Sequence, residues 1–337
     1  MKNNEELNQQ FSISEMLLVS SPGSIGGLLC VYENKTSILS IGGSTGLSLT
    51  NNQLVVANQF DDGRSIQFID RTNSKHYTLS KNRMDLHDVL IKDDSLFVVD
   101  TENNQVIEFS IERMNIQNTW RLPGKPDSVH INSIAFYQGK LMASIFGRFD
   151  KSLGYKLGTE TTGQIIDVIS GEVFISRLSQ PHSLTIVDNL LYMCNSEAKE
   201  LRIYDGNLLK NNILLPGYTR GIAVGSKNIY VGISQSRNIE LDDELSTGSI
   251  VVLDRKTLTQ LGSINIPFAE LYDIQIINDE SDLVLKLVSI GDANKKMAKE
   301  YSILLAKYQN LEATFEKLEK PLTFLNRIRK YFKKTNK

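Results

Sequence analysis

The chain has 337 residues, 41% of them hydrophobic and 23% charged, with 22 Gly, 7 Pro and a formal net charge of -2. Those fractions exclude a disordered chain, a collagen and a disulfide scaffold, and the charge offers no global attraction to nucleic acid. Cys30 and Cys194 both fall in apolar runs, which reads as two buried free thiols.

Residues 1–15, including MKNNEELNQQ, form a polar arm without the basic-then-apolar order of a secretory signal. No stretch approaches the ~18 uninterrupted apolar residues of a membrane span, so the expected location is the cytoplasm. Three short apolar segments follow, MLLVSS, GLLCVYE and TSILSI. From Thr45 onward a unit recurs. TGLSLTNNQLVVANQ, LHDVLIKDDSLFVVDT, HINSIAFYQGKLMASIF, PHSLTIVDNLLYMCNS and RGIAVGSKNIYVGIS each hold two apolar strands around a polar turn. A third strand with alternating polarity comes next in each unit: SIQFID, QVIEFS, QIIDVI, ELRIYD and SIVVLD. A fourth, less regular strand closes the unit, as in IQNTWRL and GSINIP.

A sixth unit opens with LYDIQII at Leu271 and can borrow its other three strands from the N-terminus. Taking Gly46, His87, His130, His182, Gly221 and Tyr272 as equivalent positions, the repeat is roughly 40–50 residues, the length of a four-stranded propeller blade. The expected fold is all-β, a six-bladed propeller over 16–291. Its last blade joins both ends of the chain and removes open strand edges.

The pattern then turns helical. Tyr301, Leu304, Tyr308, Leu311, Phe315 and Leu318 make a heptad seam within 292–320. Three heptads are marginal alone, so the helix is expected either to pair with a second copy through 297–319 or to lie on the propeller. Beyond Pro321, residues 321–337 place Leu322, Leu325, Ile328 and Phe332 on one helical face. They also carry Arg327, Arg329, Lys330, Lys333, Lys334 and Lys337 with no acid. That combination suits an anionic membrane surface, with a solvated tail or an acidic partner as the competing readings. Nucleic acid is not expected as a partner.

Three of the four His, at 87, 130 and 182, stand at the starts of consecutive blades, followed by Arg220 and then by Tyr272 and Asp273. First strands of blades line a propeller's channel, so one channel mouth is expected to gather these side chains with Asp88. The loops Gly147–Gly163 and Gln235–Gly248 are the longest between second and third strands. They are expected on the same face, where they could cover a small-molecule or glycan ligand. Three neutral imidazoles suit a divalent metal, Zn²⁺ first. The metal ligands would be His87, His130 and His182; the catalytic residues Tyr272, Arg220 and His130; the substrate-binding residues Asn132, Arg148, Asp88 and Asp273. Metal-free binding of a sugar or phosphate, and a purely structural role for the imidazoles, stay open beside it.

In GLSLTNNQLVVAN, LHDV, WRLPGKPDSVHINSIAF, RLSQPHSL, LPGYTRGIAVG and ELYDIQII, the chain resembles a family of uncharacterised bacterial proteins, a domain of unknown function sometimes fused to tetratricopeptide repeats. The resemblance covers roughly residues 40–278 and leaves out the C-terminal tail. It implies a six-bladed propeller and no settled activity. More distantly the arrangement looks like propeller lyases and lactonases. By position it is similar to peptidyl-hydroxyglycine lyases, where three blade-borne histidines hold zinc near a Tyr and an Arg. That analogy would make His87, His130 and His182 ligands, with Tyr272 and Arg220 the catalytic pair, although no sequence motif is shared. The heptads and basic tail also look like tails of bacterial glycosyltransferases that act on lipid-linked surface polysaccharides.

Two functions follow as expectations. One is an enzyme with lyase, hydrolase or isomerase chemistry on a small anionic or sugar-type substrate in bacterial surface polysaccharide metabolism. The other is a non-catalytic glycan- or protein-binding propeller held at the inner face of the membrane by its basic tail.

Overall fold

The structure is a computed structural model that describes residues 13–50, 53–60, 63–80, 84–234 and 247–277, with single helical positions between 283 and 307. All six residues of the expected heptad seam and the basic tail 321–337 lie outside the described residues, which include only Lys296 and Lys307 of 292–320; residues 1–12 of the polar arm and 235–246 of the second long loop lie outside them too. By contacts the chain divides into two units, 1–288 and 289–337.

The first unit is a six-bladed β-propeller. In chain order, β1 (Met16–Ser21), β2 (Gly27–Tyr32) and β3 (Lys35–Ile41) come from the N-terminus. Blade 1 is β4 (Ser44–Leu49), β5 (Gln53–Phe60), β6 (Gly63–Asp70) and β7 (Ser74–Ser80). Blade 2 is β8 (Leu86–Lys92), β9 (Ser95–Asp100), β10 (Gln105–Ser110) and β11 (Ile116–Arg121). Blade 3 is β12 (Ile131–Tyr137), β13 (Lys140–Ile145), β14 (Gly163–Asp167) and β15 (Val173–Leu178). Blade 4 is β16 (Pro181–Val187), β17 (Leu190–Asn195), β18 (Glu200–Asp205) and β19 (Leu208–Leu214). Blade 5 is β20 (Tyr218–Val224), β21 (Asn228–Ser234), β22 (Gly248–Asp254) and β23 (Gln260–Ile266). β24 (Ile274–Ile277) pairs with β1, so blade 6 runs β24-β1-β2-β3 and joins the two ends of the ring.

The first strands β4, β8, β12, β16, β20 and β24 touch one another in ring order around the channel. The second strands are buried, as in SLFVVD of β9, because both faces meet neighbouring blades. The fourth strands are mostly exposed, as in IQNTWR of β11. The apolar core therefore lies between blades. Val55, Ala57 and Ile66 of blade 1, for example, pack on Leu86, Val89 and Val98 of blade 2. The N-terminal segment fastens this closure: Ile13 is buried between blades 5 and 6, and Glu15 accepts bonds from Ser226 N (3.1 Å) and the Tyr230 hydroxyl.

One irregularity positions the functional surface. Each of the first five inner strands carries one extra residue opposite its partner: Thr45-Gly46, His87-Asp88, Asn132-Ser133, Ser183-Leu184 and Arg220-Gly221 each oppose a single residue. In blade 6, Tyr272 N donates to Ser20 O (2.8 Å) while Ser20 N donates to Asp273 O (3.0 Å), giving the same two-against-one arrangement. A bulge of this kind re-aims side chains and strengthens twist. Here it recurs at one level all round the channel. Glycine at Gly46 is required by close approach, since a Cβ there would stand 2.5 Å from Asp88 Cα.

Candidate functional site at the channel mouth

The bulges correct the alignment of the histidines. Thr45, His87, Asn132, Ser183, Arg220 and Tyr272 share one structural position, each two residues before the first regular pair that follows the bulge. His182 stands one residue earlier than that position, and His130 two. The imidazoles nonetheless belong to one aromatic chain. His87 meets Tyr272 at 5.8 Å between ring centroids and His130 at 5.1 Å; His130 meets Phe146 at 4.4 Å; Phe146 meets His182 at 5.1 Å, and His182 meets Tyr218 at 5.8 Å. Arg220 lies over the Tyr272 ring, Cζ 3.8 Å from the centroid, a cation–π contact. Its Nη1 also donates to Glu270.

His130 is the most constrained of the group. Its Nδ1 is 2.7 Å from Asp127 Oδ1, and Tyr155 donates its hydroxyl to Asp127 Oδ2 at 3.2 Å. Tyr155 comes from the long loop after β13, whose short 3₁₀ turn (Gly154–Leu157) brings its ring to 4.1 Å from the imidazole. This loop thus covers the histidine face, as expected. The His130 backbone has φ +51°, an uncommon conformation for a residue with a side chain. Burial pushes the imidazole pKa down to about 4, the Asp127 contact only partly opposing it, so His130 is neutral at pH 7. His182 is likewise held well below its ordinary value by burial and then by the Arg220 charge. Its Nδ1 is occupied by Gln180 O (2.9 Å) and Ser196 Oγ (2.8 Å). His87 Nδ1 lies 3.3 Å from Asp85 Oδ1 without hydrogen-bond alignment. Burial alone would raise Asp85, but the adjacent His87 imidazole and the hydrogen bond donated by Gln59 Nε2 (2.7 Å) hold that carboxyl below the usual range.

Asp88 and Asp273 occupy matching places. Asp88 accepts from Val89 N and from Ile134 N of the next blade, both at 2.8 Å. Asp273 accepts from Ile274 N (2.7 Å) and from Leu47 N of blade 1 (2.9 Å). Each carboxylate therefore stitches neighbouring blades. Burial raises both pKa values, Asp273 to about 6 and Asp88 well above its usual range, the Asp273 charge adding to the latter. Burial also lifts the Tyr272 phenol well above its ordinary value, against the pull of Arg220.

Asn132, His182, Arg220, Tyr272, Asp88 and Asp273 line one cavity of about 80 Å³ in the channel. Arg148 does not join them; it is exposed and donates to Gly171 O at 3.2 Å. Among the described residues, six buried side-chain polar atoms have no hydrogen-bond partner. Three of them, Asn132 Oδ1, Arg220 Nε and the Tyr272 hydroxyl, belong to residues lining this cavity, and a fourth, His87 Nδ1, belongs to a ring that packs against Tyr272 without lining it. Folded proteins satisfy most such atoms, so these are the positions at which a ligand or ordered water would bond.

The geometry does not fit a three-histidine zinc centre. Phe146 packs against both His130 and His182, at 4.4 and 5.1 Å between ring centroids. Among the described residues no group of three or more His, Cys, Asp or Glu side chains is placed to hold a metal ion. Sequence reasoning passed over Asp85, Asp127, Tyr155, Tyr218 and Glu270. Four of these five had a readable signal, an acid or phenol two or three residues before His87, His130, Arg220 or Tyr272. Tyr155 had none beyond its place in a long loop.

Solved structures share the fold at low identity. A protein of unknown function from Bacteroides caccae aligns at 12% identity over 79% of this chain and 100% of its own, with a TM-score of 0.58. A chain of the nidogen–laminin complex aligns at 11% over 78% and 98%, TM-score 0.55. A Lactobacillus plantarum protein aligns at 11% over 79% and 100%, TM-score 0.50. No curated protein matches the chain. Residues 29–284 match the family described as Domain of unknown function (DUF4915), and the chain belongs to that family.

Proposed function

We propose that the channel mouth is the active site of an enzyme performing proton-transfer chemistry, of the lyase, hydrolase or isomerase kind, on a small sugar-type substrate. The observation that carries this reading is the Asp127–His130 pair. A base must be held in one tautomer and one direction. Asp127 accepts the Nδ1 proton, which leaves Nε2 as the lone-pair nitrogen, and Tyr155 steadies both partners. Burial keeps the ring unprotonated at pH 7, the state a base needs. Tyr272, whose phenol keeps its proton, is the candidate acid; Arg220 holds that ring from above.

The family carries no assigned activity, so the reading rests on this chain's own residues. The basic segment 321–337 supports placing the enzyme at an anionic membrane surface on the cytoplasmic side, in surface-polysaccharide metabolism. No helix among the described residues is long and apolar enough to cross a membrane. The test is turnover of mono- and disaccharide derivatives by the wild-type protein, by His130→Ala and by Arg220→Ala. Loss of turnover in both, with the circular dichroism spectrum unchanged, is the expected result. Equal turnover in all three proteins refutes the assignment.

A further inference from the structure

The charges at the mouth do not suit an anionic substrate. Among the described residues Asp85, Asp127 and Glu270 stand around it, against the guanidinium of Arg220, and His130 and His182 are uncharged at neutral pH. Two of these carboxylates reach solvent: the Asp85 side chain is 33% exposed and that of Glu270 19%, against 7% for Asp127. They belong to blades 2 and 6 and flank blade 1, which offers only Gly42 and Gly43 before its first strand. Among the described residues this side of the mouth is therefore bordered by negative charge.

A second observation is independent of charge. Asn132 is 1% exposed and lines the cavity, yet its Oδ1 has no donor, while its Nδ2 is spent on His130 O at 3.1 Å. An amide oxygen can only accept, so whatever satisfies it must donate. The buried Tyr272 hydroxyl in the same cavity is also unpaired. Arg220 Nε is an orphan donor there and needs an acceptor, while the protonated phenol can take either partner. The unpaired amide oxygen under a negatively bordered, aromatic-walled mouth suits an ammonium group. The donor beside it suits a neighbouring hydroxyl.

We infer that the ligand of this mouth is a cationic amino sugar or comparable amino alcohol, its ammonium group directed to Asn132 Oδ1 and its hydroxyls to Arg220 and the bordering carboxylates. This rests on the proposed function in so far as both use one site, and it narrows that sugar-type substrate to a cationic one.

Isothermal titration of the full chain with glucosamine, glucose, N-acetylglucosamine and glucuronate tests it. Glucosamine is expected to bind at least about tenfold tighter than the other three, because acetylation or removal of the amine deletes a charge-assisted hydrogen bond. Its affinity should fall as salt rises. Asn132→Leu should weaken glucosamine by about tenfold and by more than it weakens glucose, whose hydroxyl makes a neutral hydrogen bond in place of a charge-assisted one. Should that variant misfold, the comparison of the four sugars on the wild type decides alone. Glucose or glucuronate binding as tightly as glucosamine overturns the inference, as does no binding by any of the four at millimolar concentration. If such neutral or acidic binding disappears in Arg220→Ala, the mouth remains the site and only the cationic class is lost. Binding that ignores both Asn132→Leu and Arg220→Ala removes the site as well.

Discussion

Replacing His130 by Asn separates the electrostatics of the site from its packing. Asn tolerates the positive φ of this position better than most residues and does not titrate. In the unfolded chain His130 has its ordinary pKa near 6.5, and in the fold burial lowers it to about 4. Between those values the unfolded state binds a proton that the folded state refuses. The stability this neutral ring contributes is fully present above pH ~6.5 and is lost as pH falls toward 4. At about 1.4 kcal/mol per pKa unit the loss amounts to about 3 kcal/mol.

Asp273 contributes with the opposite sign. Its pKa is raised to about 6, so its share of stability is present at low pH and is lost as pH rises through about 4 to 6. The comparison must therefore be a difference between two proteins in which Asp273 behaves alike. Urea unfolding of wild type and His130→Asn at pH 7 and pH 4 supplies it. Wild type is expected to lose about 3 kcal/mol more than the variant over that range. Imidazole NMR should show the ring that is absent from the variant titrating near pH 4. Equal losses in both proteins, or a His130 ring titrating near 6.5, would show that the imidazole is not buried at this mouth.

Gly46→Ala should destabilise the propeller by about 1–3 kcal/mol, read as a lower urea midpoint, because its Cβ would press on the Asp88 backbone. Glu15→Ala removes the acceptor of Ser226 N and of the Tyr230 hydroxyl. It should cost about 1–3 kcal/mol and expose the seam where the chain ends meet, measured by hydrogen exchange in β1 and β21. Tyr155→Ala uncovers His130, and its imidazole pKa should rise toward the ordinary value by NMR; an unmoved titration would mean that the loop does not shield the ring. Lys330→Glu, Lys333→Glu and Lys334→Glu together should abolish co-sedimentation with vesicles rich in phosphatidylserine; retained binding would remove the membrane reading of 321–337.

Much of the architecture was legible because a propeller blade is written locally. Period-two strands such as SIQFID and ELRIYD, and hairpin turns such as Gln138-Gly139, depend on near neighbours. The recurrence of that unit implied the ring, and MLLVSS, GLLCVY and KTSILSI do complete the sixth blade. The sequence also pointed to His87, Asn132, Arg220 and Tyr272, since inner-strand starts must face the channel. The bulge remained hidden. It inserts one residue and reverses side-chain parity without changing composition, so the three histidines look equivalent in the chain and stand at three different heights in the fold.

Only tertiary structure decided the rest. Asp127 and Tyr155 act on His130 through a loop that folds back, and Asp88 and Asp273 spend both oxygens on backbone donors, each reaching one in a neighbouring blade. Whether a carboxylate binds a ligand or a backbone, and whether an imidazole is neutral, depends on burial and on partners far away in sequence. Residue identity supplies the chemistry that is available, and packing selects which part of it is used.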